Sequence, residues 1–415
     1  MEISLVLIVL VLCSSAAHLV TYSTAGFHME LTHVDGKGSY TAAERVQRAM
    51  ASSGQSLASF VDVTAPVHWN TSQYIAEYLI ATPPQRAEAL IDTGSDLIWT
   101  QCSTCSQCVK QGLPLYNASK SDTFHPMSCN DPLCLANQEH SCRRDGSCAF
   151  GAFYGAGDAR GTIETDVFAF QNGSARLTFG CVDLQNHGVD SVMITPGSLD
   201  GASGLIGLGR GPLLLVSQAG ASKFSYLRSN ATAGASSHLF IGASASLSGD
   251  SPVTSLSFVQ GPKEYPFYYV PLIGISVGQT RLSIPPTVFA LKENGTGGGV
   301  IVDSGTPTTG LELRRQLNGS LVPPPAGSEM DLCVAVAQEK TLPSMVFHFS
   351  GGADMVLPPE NYWVPVDNST SCMVMETSSG LSIIGNWNFQ LQNMHMLYDL
   401  AKEELSFQTA DCGSL

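Results

Sequence analysis

The sequence predicts an all-β protein made of two similar lobes. Only 13% of its 415 residues are charged, 44% are hydrophobic and 40 are glycine. Ordinary soluble proteins carry about 25% charged residues, and long-helix proteins are far richer in Glu, Lys and Arg. From residue 74 onward, short apolar runs alternate with Gly, Pro, Asn and Ser turns, which is typical of strands. One short motif also occurs in both halves of the chain, which indicates a repeated lobe.

The strand candidates are short apolar segments that are bounded by turn residues. They are residues 89–91, 161–168, 177–179, 267–270, 300–302 and 345–349. Residues 243–252, which read Ala-Ser-Ala-Ser-Leu-Ser-Gly-Asp-Ser-Pro, are typical of a linker. We therefore expect an N-terminal lobe over residues 71–245 and a C-terminal lobe over residues 246–415.

The charge balance excludes several classes of protein. The chain has 20 basic and 35 acidic residues, a formal net charge of -15, and no basic block. Nucleic-acid binding relies on Lys and Arg against phosphates, so no nucleic-acid partner is expected. The high apolar content and low charge also exclude a disordered chain.

The N-terminus is typical of a secretory signal peptide over residues 1–17. Residues 5–12 are an unbroken apolar run, and the small residues 14–17 follow as a cleavage site. The first charge, Glu2, is atypical of such a signal, and a buried N-terminal strand is the alternative. The run is too short to span a bilayer and no later stretch is longer, so we expect a secreted protein without a membrane anchor.

Residues 18–70 are predicted to be a detachable pro-segment. Residues 41–44 (Thr-Ala-Ala-Glu) form a capping box that opens a short helix, and no cysteine lies between the signal and Cys102. An ordinary N-terminal helix of the mature domain is the alternative. We expect maturation to cut between residues 65 and 72.

Seven Asn-x-Ser/Thr sequons agree with secretion, although such sequons also arise by chance. The candidate glycosylation sites are Asn70, Asn117, Asn172, Asn230, Asn294, Asn318 and Asn368.

More than half of the cysteines are concentrated in one stretch of the chain. Of twelve, Cys13 leaves with the signal, and seven lie between residues 102 and 148. The spacing Cys-x2-Cys-x2-Cys from Cys102 fits zinc or iron–sulfur ligands. In a secreted chain disulfides are the favoured interpretation, so no metal or cofactor is expected. Eleven mature cysteines leave at least one without a partner in the chain.

The motif shared by the halves contains an aspartate. Residues 90–95 read Leu-Ile-Asp-Thr-Gly-Ser and residues 301–306 read Ile-Val-Asp-Ser-Gly-Thr. Downstream, an apolar pair before glycine occurs at residues 205–207 and again at 383–385. One Asp-Thr/Ser-Gly triplet arises by chance in many proteins, but two ordered copies with their partner motifs do not.

Two such turns that face each other bring two carboxyl groups together. Each apolar pair ends a buried strand, and the glycine permits a tight turn that carries Asp92 or Asp303. Two carboxylates in contact cannot both ionise cheaply, so the pair holds one proton over a wide pH range. One carboxylate can then take a proton from water while the other donates to a substrate carbonyl, and the pair titrates as a unit.

The chain resembles the pepsin-like aspartic proteases, in particular the nepenthesin-type group of plants. The resemblance extends from the pro-segment to the C-terminus. It rests on residues 31–35, on 82–85 (Thr-Pro-Pro-Gln), on 92–102 (Asp-Thr-Gly-Ser-Asp-Leu-Ile-Trp-Thr-Gln-Cys), on 204–211 (Gly-Leu-Ile-Gly-Leu-Gly-Arg-Gly), on 268–278 and on 303–306. The cysteine-rich stretch resembles the insert of this group.

This resemblance implies a bilobal pepsin-like fold with a cleft between the lobes and a polypeptide substrate. Asp92 and Asp303 would hold the nucleophilic water. The catalytic-loop support would come from Thr93 and Ser304 behind the two loops, from Ser95 and Thr306 at the outer carboxylate oxygens, and from the glycines Gly94 and Gly305.

The resemblance also places a flap over the substrate. Tyr154 and Gly155 lie where the family has its flap hairpin, and Trp99 would brace the tyrosine. Without the paired aspartates, ordinary strand aromatics would be the preferred interpretation of both residues.

The family also implies a disulfide pairing. It joins Cys102 to Cys105, Cys108 to Cys181, Cys129 to Cys148, Cys134 to Cys142, and Cys333 to Cys372. Leu227 stands where family members usually carry a cysteine, so Cys412 lacks its partner.

Two further positions depart from the family pattern. The segment 307–331 is shorter than in the family, with residues 311–317 as a remnant of its helix. The flap has Ala156 and Asp158 where Asp and Ser are common. Asp158 is a candidate for altering pH dependence, with an exposed turn acid as the alternative.

The sequence therefore predicts a secreted, monomeric aspartic endopeptidase that acts at acidic pH and is made as a zymogen. Its expected compartment is the apoplast, with the vacuole as the alternative. The rival hypothesis is an inactive homologue that acts as a binding or inhibitor protein, which the shortened second lobe favours and the two aspartates oppose. A two-carboxylate glycosidase has no need of the repeated motif.

Overall fold

The computed structural model describes most of the two predicted lobes and one segment before them. The described residues are 26–34, 44, 74–137, 140–154, 157–183, 199–227, 237–262, 266–292, 298–304, 309–310, 321–323, 332–336, 342–376, 382–385 and 390–410. Within these ranges no helix is both long and apolar enough to cross a membrane.

The described part of the first half is built almost entirely from strands. Its strands are β1 Phe27–His33, β2 Tyr74–Ile80, β3 Gln85–Asp92, β4 Ile98–Gln101, β5 His125–Pro126, β6 His140–Cys142, β7 Cys148–Tyr154, β8 Gly157–Phe170, β9 Gly173–Val182, β10 Gly204–Gly207, β11 Lys223–Leu227 and β12 Ser237–Ile241. Two short α-helices accompany them, α1 Pro132–Ala136 and α2 Leu215–Gln218.

The second half is also built from strands. They are β13 Thr254–Ser257, β14 Leu272–Val277, β15 Thr280–Arg281, β16 Val300–Asp303, β17 Thr309–Gly310, β18 Leu321–Val322, β19 Cys333–Ala335, β20 Met345–Phe349, β21 Asp354–Leu357, β22 Trp363–Pro365, β23 Thr370–Met373, β24 Met375–Glu376, β25 Ser382–Gly385, β26 Met394–Asp399 and β27 Glu404–Thr409. Single 3₁₀ turns lie at Ala118–Lys120, Gly242–Ser244, Pro286–Val288, Ser350–Gly352 and Pro359–Asn361.

One large sheet joins strands of both halves. Its order is β13-β27-β26-β11-β12-β1-β2-β3-β10-β4-β9-β8-β7-β6, with β5 paired to β8. The strands β13, β26 and β27 come from the second half, and the remaining second-half strands form three four-stranded sheets. The all-β class predicted from composition is therefore confirmed.

The strand β1 lies inside this large sheet although its residues belong to the predicted pro-segment. It pairs with β12 from Phe27 to Leu31 and with β2 from Leu31 to His33. Met29 and Leu31 are buried in the main hydrophobic core. The strand β1 is thus an integral part of the large sheet and of the core.

Five of the six strand candidates lie in strands, and one does not. Residues 267–270 contribute only isolated bridges, in which Tyr269 pairs with Val259 and Ile301. Tyr268 is fully buried and its hydroxyl bonds to backbone carbonyls, so the aromatic run serves core packing rather than a continuous ladder. The predicted linker begins in a 3₁₀ turn and continues without a strand up to β13.

The cysteine pairing implied by the family is wrong for four of its five bonds. The structure joins Cys102 to Cys181, Cys105 to Cys108, Cys129 to Cys142, Cys134 to Cys148, and Cys333 to Cys372, of which only the last was expected.

The parallel pairing of β4 with β9 explains the first difference. It sets Thr100 against Cys181, and the Cys102 amide donates to the Val182 carbonyl. Cys102 therefore lies beside Cys181, with 5.6 Å between their Cα atoms. Cys105 and Cys108 remain within one turn and pair with each other.

Several expectations concern residues outside the described ranges. These are the signal peptide, the predicted helix after residue 41 apart from Glu44, the maturation segment 65–72, the helix remnant 311–317, and Cys412. Leu227, the residue at the family's cysteine position, packs against Ala410, two residues before Cys412.

Candidate active site

Two parallel strand pairs carry the motif aspartates. In the first half β3 runs parallel to β10, and Asp92 lies opposite Gly207. In the second half β16 runs parallel to β25, and Asp303 lies opposite Gly385. Each aspartate therefore ends a buried strand, beside the glycine of its own downstream motif.

The two carboxyl groups lie close together. A Cβ atom added to Gly94 would be 2.9 Å from Asp303 Oδ1 and 3.1 Å from Asp92 Oδ1, so both oxygens surround one point. Asp92 is 6% exposed and Asp303 is 8% exposed. No side chain larger than hydrogen fits at Gly94 without moving a carboxyl group.

The environment of Asp92 favours its protonated form. Burial raises the pKa of Asp92 to about 7, and the charge of Asp303 adds to the effect. Hydrogen bonds from Ser95 and from the Gly94 amide oppose the rise in pKa because they stabilise the carboxylate. Two carboxyl groups in this arrangement hold one proton between them.

Hydrogen bonds inside the first loop fix both oxygens of Asp92. The Gly94 amide donates to Oδ1 at 2.9 Å, and the Ser95 hydroxyl donates to Oδ2 at 2.5 Å. The corresponding residues of the second loop, Gly305 and Thr306, lie outside the described residues.

Thr93 and Ser304 connect the two loops from behind. The Thr93 amide donates to Ser304 Oγ, and the Ser304 amide donates to Thr93 Oγ1, each at 2.7 Å. Thr93 Oγ1 also donates to the Val302 carbonyl, and Ser304 Oγ donates to the Ile91 carbonyl. The structure therefore brings together the residues that the sequence predicted as loop supports in the two halves.

Tyr154 ends strand β7 beside the first loop. Trp99 Nε1 donates to the Tyr154 hydroxyl at 2.8 Å. Burial, together with the charge of Asp92, raises the pKa of Tyr154 above its usual range, so its hydroxyl stays protonated. The predicted contact between Trp99 and Tyr154 is thus present, while Gly155 lies outside the described residues.

The hairpin of β7 and β8 pairs Asp158 with a basic residue. Arg160 donates to Asp158 Oδ2 at 2.7 Å, and its guanidinium lies 5.5 Å from the centre of the Phe153 ring. Asp158 is mostly buried, so the simple picture of an exposed turn acid is wrong.

Ser276, His348 and Asp354 are arranged like a nucleophile, a base and its orienting acid, but the surroundings of Ser276 do not favour catalysis. Ser276 Oγ lies 2.7 Å from His348 Nε2, and His348 Nδ1 lies 2.7 Å from Asp354 Oδ1. Ser276 is in the interior of β14, which pairs there with both β15 and β20. Its neighbouring amides serve the sheet, so none is left to stabilise an oxyanion, and we assign this group no catalytic role.

Sequence reasoning gave no role to Asp96 and Tyr268, which also contact the loops of the first half. Asp96 accepts a hydrogen bond from the Gly211 amide at 2.8 Å, and the Tyr268 hydroxyl donates to the Leu208 carbonyl at 2.7 Å. One signal was present, because the repeated motif is followed by Asp96 in the first half and by Pro307 in the second.

Comparison with known proteins gives two matching family models. The model described as "Xylanase inhibitor N-terminal" matches residues 74–243, and the model described as "Xylanase inhibitor C-terminal" matches residues 267–409. Together they cover more than half of the chain, and each includes one motif aspartate.

Several plant proteases are similar over nearly the whole chain. Aspartic proteinase nepenthesin-1 of Nepenthes gracilis is 37% identical, and the match covers 94% of this chain and 91% of that protein. Nepenthesin-2 of the same plant is 33% identical with the same coverage. Aspartyl protease family protein 2 of Arabidopsis thaliana is 32% identical over 85% of this chain and 73% of its own length.

Two solved structures share the fold. The crystal structure titled edgp has a TM-score of 0.65 and 15% identity, covering 94% of this chain and 96% of that one. The structure of Basic 7S globulin from soybean has a TM-score of 0.63 and 15% identity, covering 93% and 97%. At this identity the likeness concerns the fold alone.

Proposed function

The chain belongs to the nepenthesin-type group of pepsin-like aspartic proteases, and on this premise we propose that it is a secreted aspartic endopeptidase, made as a zymogen, that hydrolyses polypeptides at acidic pH. The observation that carries the proposal is the pair Asp92 and Asp303, whose carboxyl oxygens surround a single point beside Gly94.

The reaction follows from one shared proton. A water molecule between Asp92 and Asp303 loses a proton to the ionised carboxylate and attacks the peptide carbonyl, while the protonated carboxyl donates to the carbonyl oxygen. The tetrahedral intermediate then breaks its C–N bond: the carboxyl group that took the proton from water gives it to the leaving nitrogen, and the other carboxylate takes back a hydroxyl proton as the new carboxyl product forms. The loop hydrogen bonds hold both oxygens of Asp92 in place without further reorganisation.

Acidic working conditions follow from the state of the pair. With the pKa of Asp92 raised to about 7 by burial and by Asp303, the singly protonated pair persists below neutral pH. As pH rises through that value, the proton is lost and the acid needed at the carbonyl oxygen disappears.

The flap and strand-like binding account for a polypeptide substrate. An extended peptide can bind through backbone hydrogen bonds, as a further strand does. Tyr154, held by Trp99, would close over it. We expect a single chain to suffice, since residues of both halves meet at the site.

The zymogen and the compartment rest on the N-terminal sequence and the disulfides. Residues 1–17 have the pattern of a secretory signal, and five disulfides join described cysteines, as befits an oxidising compartment. Release of residues 18–70 would require β1 to leave its place between β12 and β2. The apoplast is the proposed destination, with the vacuole as the alternative.

A binding or inhibitor protein remains the rival function. The matching models are described by xylanase inhibition, and the segment after residue 306 is short. A protein that had lost catalysis would have no need to keep both aspartates, the Thr93–Ser304 bonds and the Ser95 bond to Asp92. These contacts favour the protease.

The test is hydrolysis of an unfolded protein by the secreted full-length chain after acidification. Cleavage at acidic pH that pepstatin blocks, and that Asp92→Asn and Asp303→Asn each abolish, supports the proposal. Asp166→Asn is the matched control, because Asp166 is a buried carboxyl bonded by Tyr116 and Thr123 away from the pair. If cleavage persists in the presence of pepstatin and in both aspartate variants, the aspartic protease is excluded; if folded, processed wild type does not cleave at all, the binding protein is favoured.

A further inference from the structure

The residues that follow the apolar-Gly motif differ between the two halves of the chain. After the shared apolar-Gly motif, the first half continues as Leu208-Gly209-Arg210-Gly211, whereas the second continues as Asn-Trp-Asn from residue 386. The residue after the loop serine or threonine also differs, being Asp96 in one half and Pro307 in the other. The two differences occur together.

The structure shows why Asp96 and the glycines occur together. The Asp96 carboxyl group accepts hydrogen bonds from the backbone amides of Arg210 and Gly211, the latter at 2.8 Å to Oδ1. A Cβ atom on Gly211 would be 2.3 Å from Asp96 Oδ2, and one on Gly209 would be 2.6 Å from Oδ1. A side chain at residue 209 or 211 would therefore collide with the Asp96 carboxyl group, so glycine fits both positions of the turn.

The residue before Asp96 touches the catalytic pair. The Ser95 hydroxyl donates to Asp92 Oδ2 at 2.5 Å, while the Ser95 carbonyl accepts from the Gly209 amide at 2.8 Å. Two adjacent residues, Ser95 and Asp96, are thus fastened to one turn by their backbone and side chain. If the turn moved, Ser95 would move with it, and the Ser95 hydroxyl would no longer hold Asp92 in place.

The second lobe holds the same turn from its other side. The buried Tyr268 hydroxyl reaches the carbonyls of Leu208 and Gly209 at 2.7 and 2.5 Å. The Arg210 guanidinium lies over the rings of Phe258 and Tyr268 and pairs with Glu403. The turn is fixed between the lobes.

We propose that Asp96 is a positioning residue of the protease: its carboxyl group fastens the first aspartate loop to the 209–211 turn and so holds the Ser95 hydroxyl against Asp92. The inference rests on the proposed function and names a further part of the same site. What the turn requires from Asp96 is a hydrogen-bond acceptor at Oδ1, not a negative charge.

The charge state agrees with that requirement. Burial raises the pKa of Asp96 to about 6, although the amides of Gly211 and Arg210 oppose the rise. The titratable groups that interact with Asp96 or its turn are Tyr154 in the first lobe, Arg210 on the turn, and Tyr268 from the second lobe, while Glu403 pairs with Arg210. In acid Asp96 is therefore neutral, and asparagine copies its shape and its acceptor oxygen.

The test compares Asp96→Ala with Asp96→Asn in the full, acid-processed chain, with Asp166→Ala as a control for loss of a buried carboxyl group. We expect Asp96→Ala to lower kcat about tenfold with KM changed less than about twofold, since the substrate contacts remain and only the pair is displaced. Because the Ser95 bond lowers the pKa of Asp92, its weakening should raise that pKa and move the alkaline limb of kcat/KM to higher pH. Asp96→Asn should keep wild-type values, and Asp166→Ala should keep the wild-type profile.

Two further variants and a crystal structure test the positioning role independently. Gly211→Ala should reproduce the Asp96→Ala profile by pushing the carboxyl group away, and in the double variant the added methyl group should cause no further loss. A crystal structure of Asp96→Ala, or of Gly211→Ala if the first does not fold, should show Ser95 Oγ beyond hydrogen-bond distance of Asp92 Oδ2. That distance can be read even if the wild type cleaves nothing, which would overturn the proposed function alone. Wild-type kinetics in Asp96→Ala, an equal defect in Asp96→Asn, or an unmoved Ser95 would each overturn the positioning role.

Discussion

Thr93 and Ser304 exchange hydrogen bonds across the two halves of the molecule, each amide donating to the other residue's hydroxyl at 2.7 Å. Both residues are buried, Thr93 completely and Ser304 to within 3%. Each hydroxyl in turn donates to a carbonyl of the opposite strand end, at Val302 or Ile91. The two aspartate loops are therefore held as one unit, in which neither loop moves alone.

Removal of the Thr93 hydroxyl should damage both stability and catalysis. Thr93→Val keeps the volume but leaves the buried Ser304 amide without its acceptor, which costs about 1–3 kcal/mol of unfolding free energy. We expect urea unfolding at pH 4 to show this loss and kcat to fall at least tenfold as the loops separate. Thr93→Ser keeps the hydroxyl and should remain close to wild type; equal damage in both variants would contradict the role of the hydroxyl.

The hydrogen bond between Trp99 and Tyr154 should control closure of the flap. Tyr154→Phe keeps the ring but leaves Trp99 Nε1 without its acceptor, so the flap loses its closed position. We expect kcat/KM on a peptide substrate to fall about tenfold, and the unfolding free energy to fall by about 1–3 kcal/mol because a buried donor loses its acceptor. The control is Phe153→Leu, because the neighbouring Phe153 ring is 56% exposed and lies under Arg160. A comparable loss in that variant would show that hairpin stiffness, not the Tyr154 hydroxyl, matters.

The sequence could predict the site more completely than the fold around it. The repeated motif places Asp92 and Asp303 at strand ends, because buried apolar pairs before a tight turn leave few alternatives. The fold class followed from composition and turn spacing. The second shared motif contains the residues that pair with the aspartates, Gly207 and Gly385, although the repeat alone did not predict that pairing.

The other features depended on contacts between residues far apart in the sequence, which a local sequence pattern does not encode. The cysteine pairing was wrong because Cys102 and Cys181, 79 residues apart, become neighbours only through the pairing of β4 with β9. Asp96 was overlooked because its partners, the amides of Arg210 and Gly211, are backbone groups more than 100 residues away. Residues 267–270 have strand-forming side chains, but burial of Tyr268 against the 208–209 carbonyls decided their conformation.

The two cysteine pairs around the first loop should differ in their effect on stability. The Cys102–Cys181 bond closes a loop of 79 residues, whereas Cys105–Cys108 closes one of three. Constraint of the unfolded chain grows with loop length, so we expect Cys102→Ser/Cys181→Ser to cost about 4 kcal/mol and Cys105→Ser/Cys108→Ser about 2 kcal/mol or less. Urea unfolding of both double variants measures the difference. Mass spectrometry of a non-reduced digest checks the pairing, and a peptide linking Cys108 to Cys181 would contradict the structure.

Glu164 should make the fold less stable at neutral pH than in acid. It is 8% exposed, its Oε1 accepts from Thr162, and its Oε2 has no hydrogen-bond partner within the described part of the chain. Burial raises the pKa of Glu164 from 4.5 to about 7, even though nearby Arg143 favours the charge. Since the folded-state pKa lies above the unfolded value, the stabilising contribution is complete below pH 4.5 and is lost as pH rises to about 7.

Substitution by glutamine should therefore help only at neutral pH. Glu164→Gln removes the buried charge, so we expect the free energy of unfolding to rise by about 2 kcal/mol at pH 7 and to stay unchanged at pH 4. Glu77→Gln is the control, because Glu77 is exposed on β2 and pairs only at the surface with Arg86. Asp92 and Asp96 also have raised pKa values, so both proteins will still lose stability between pH 4 and 7. The curves should nevertheless diverge with rising pH, and an equal gain at both pH values would show that packing, rather than the charge of Glu164, sets its cost.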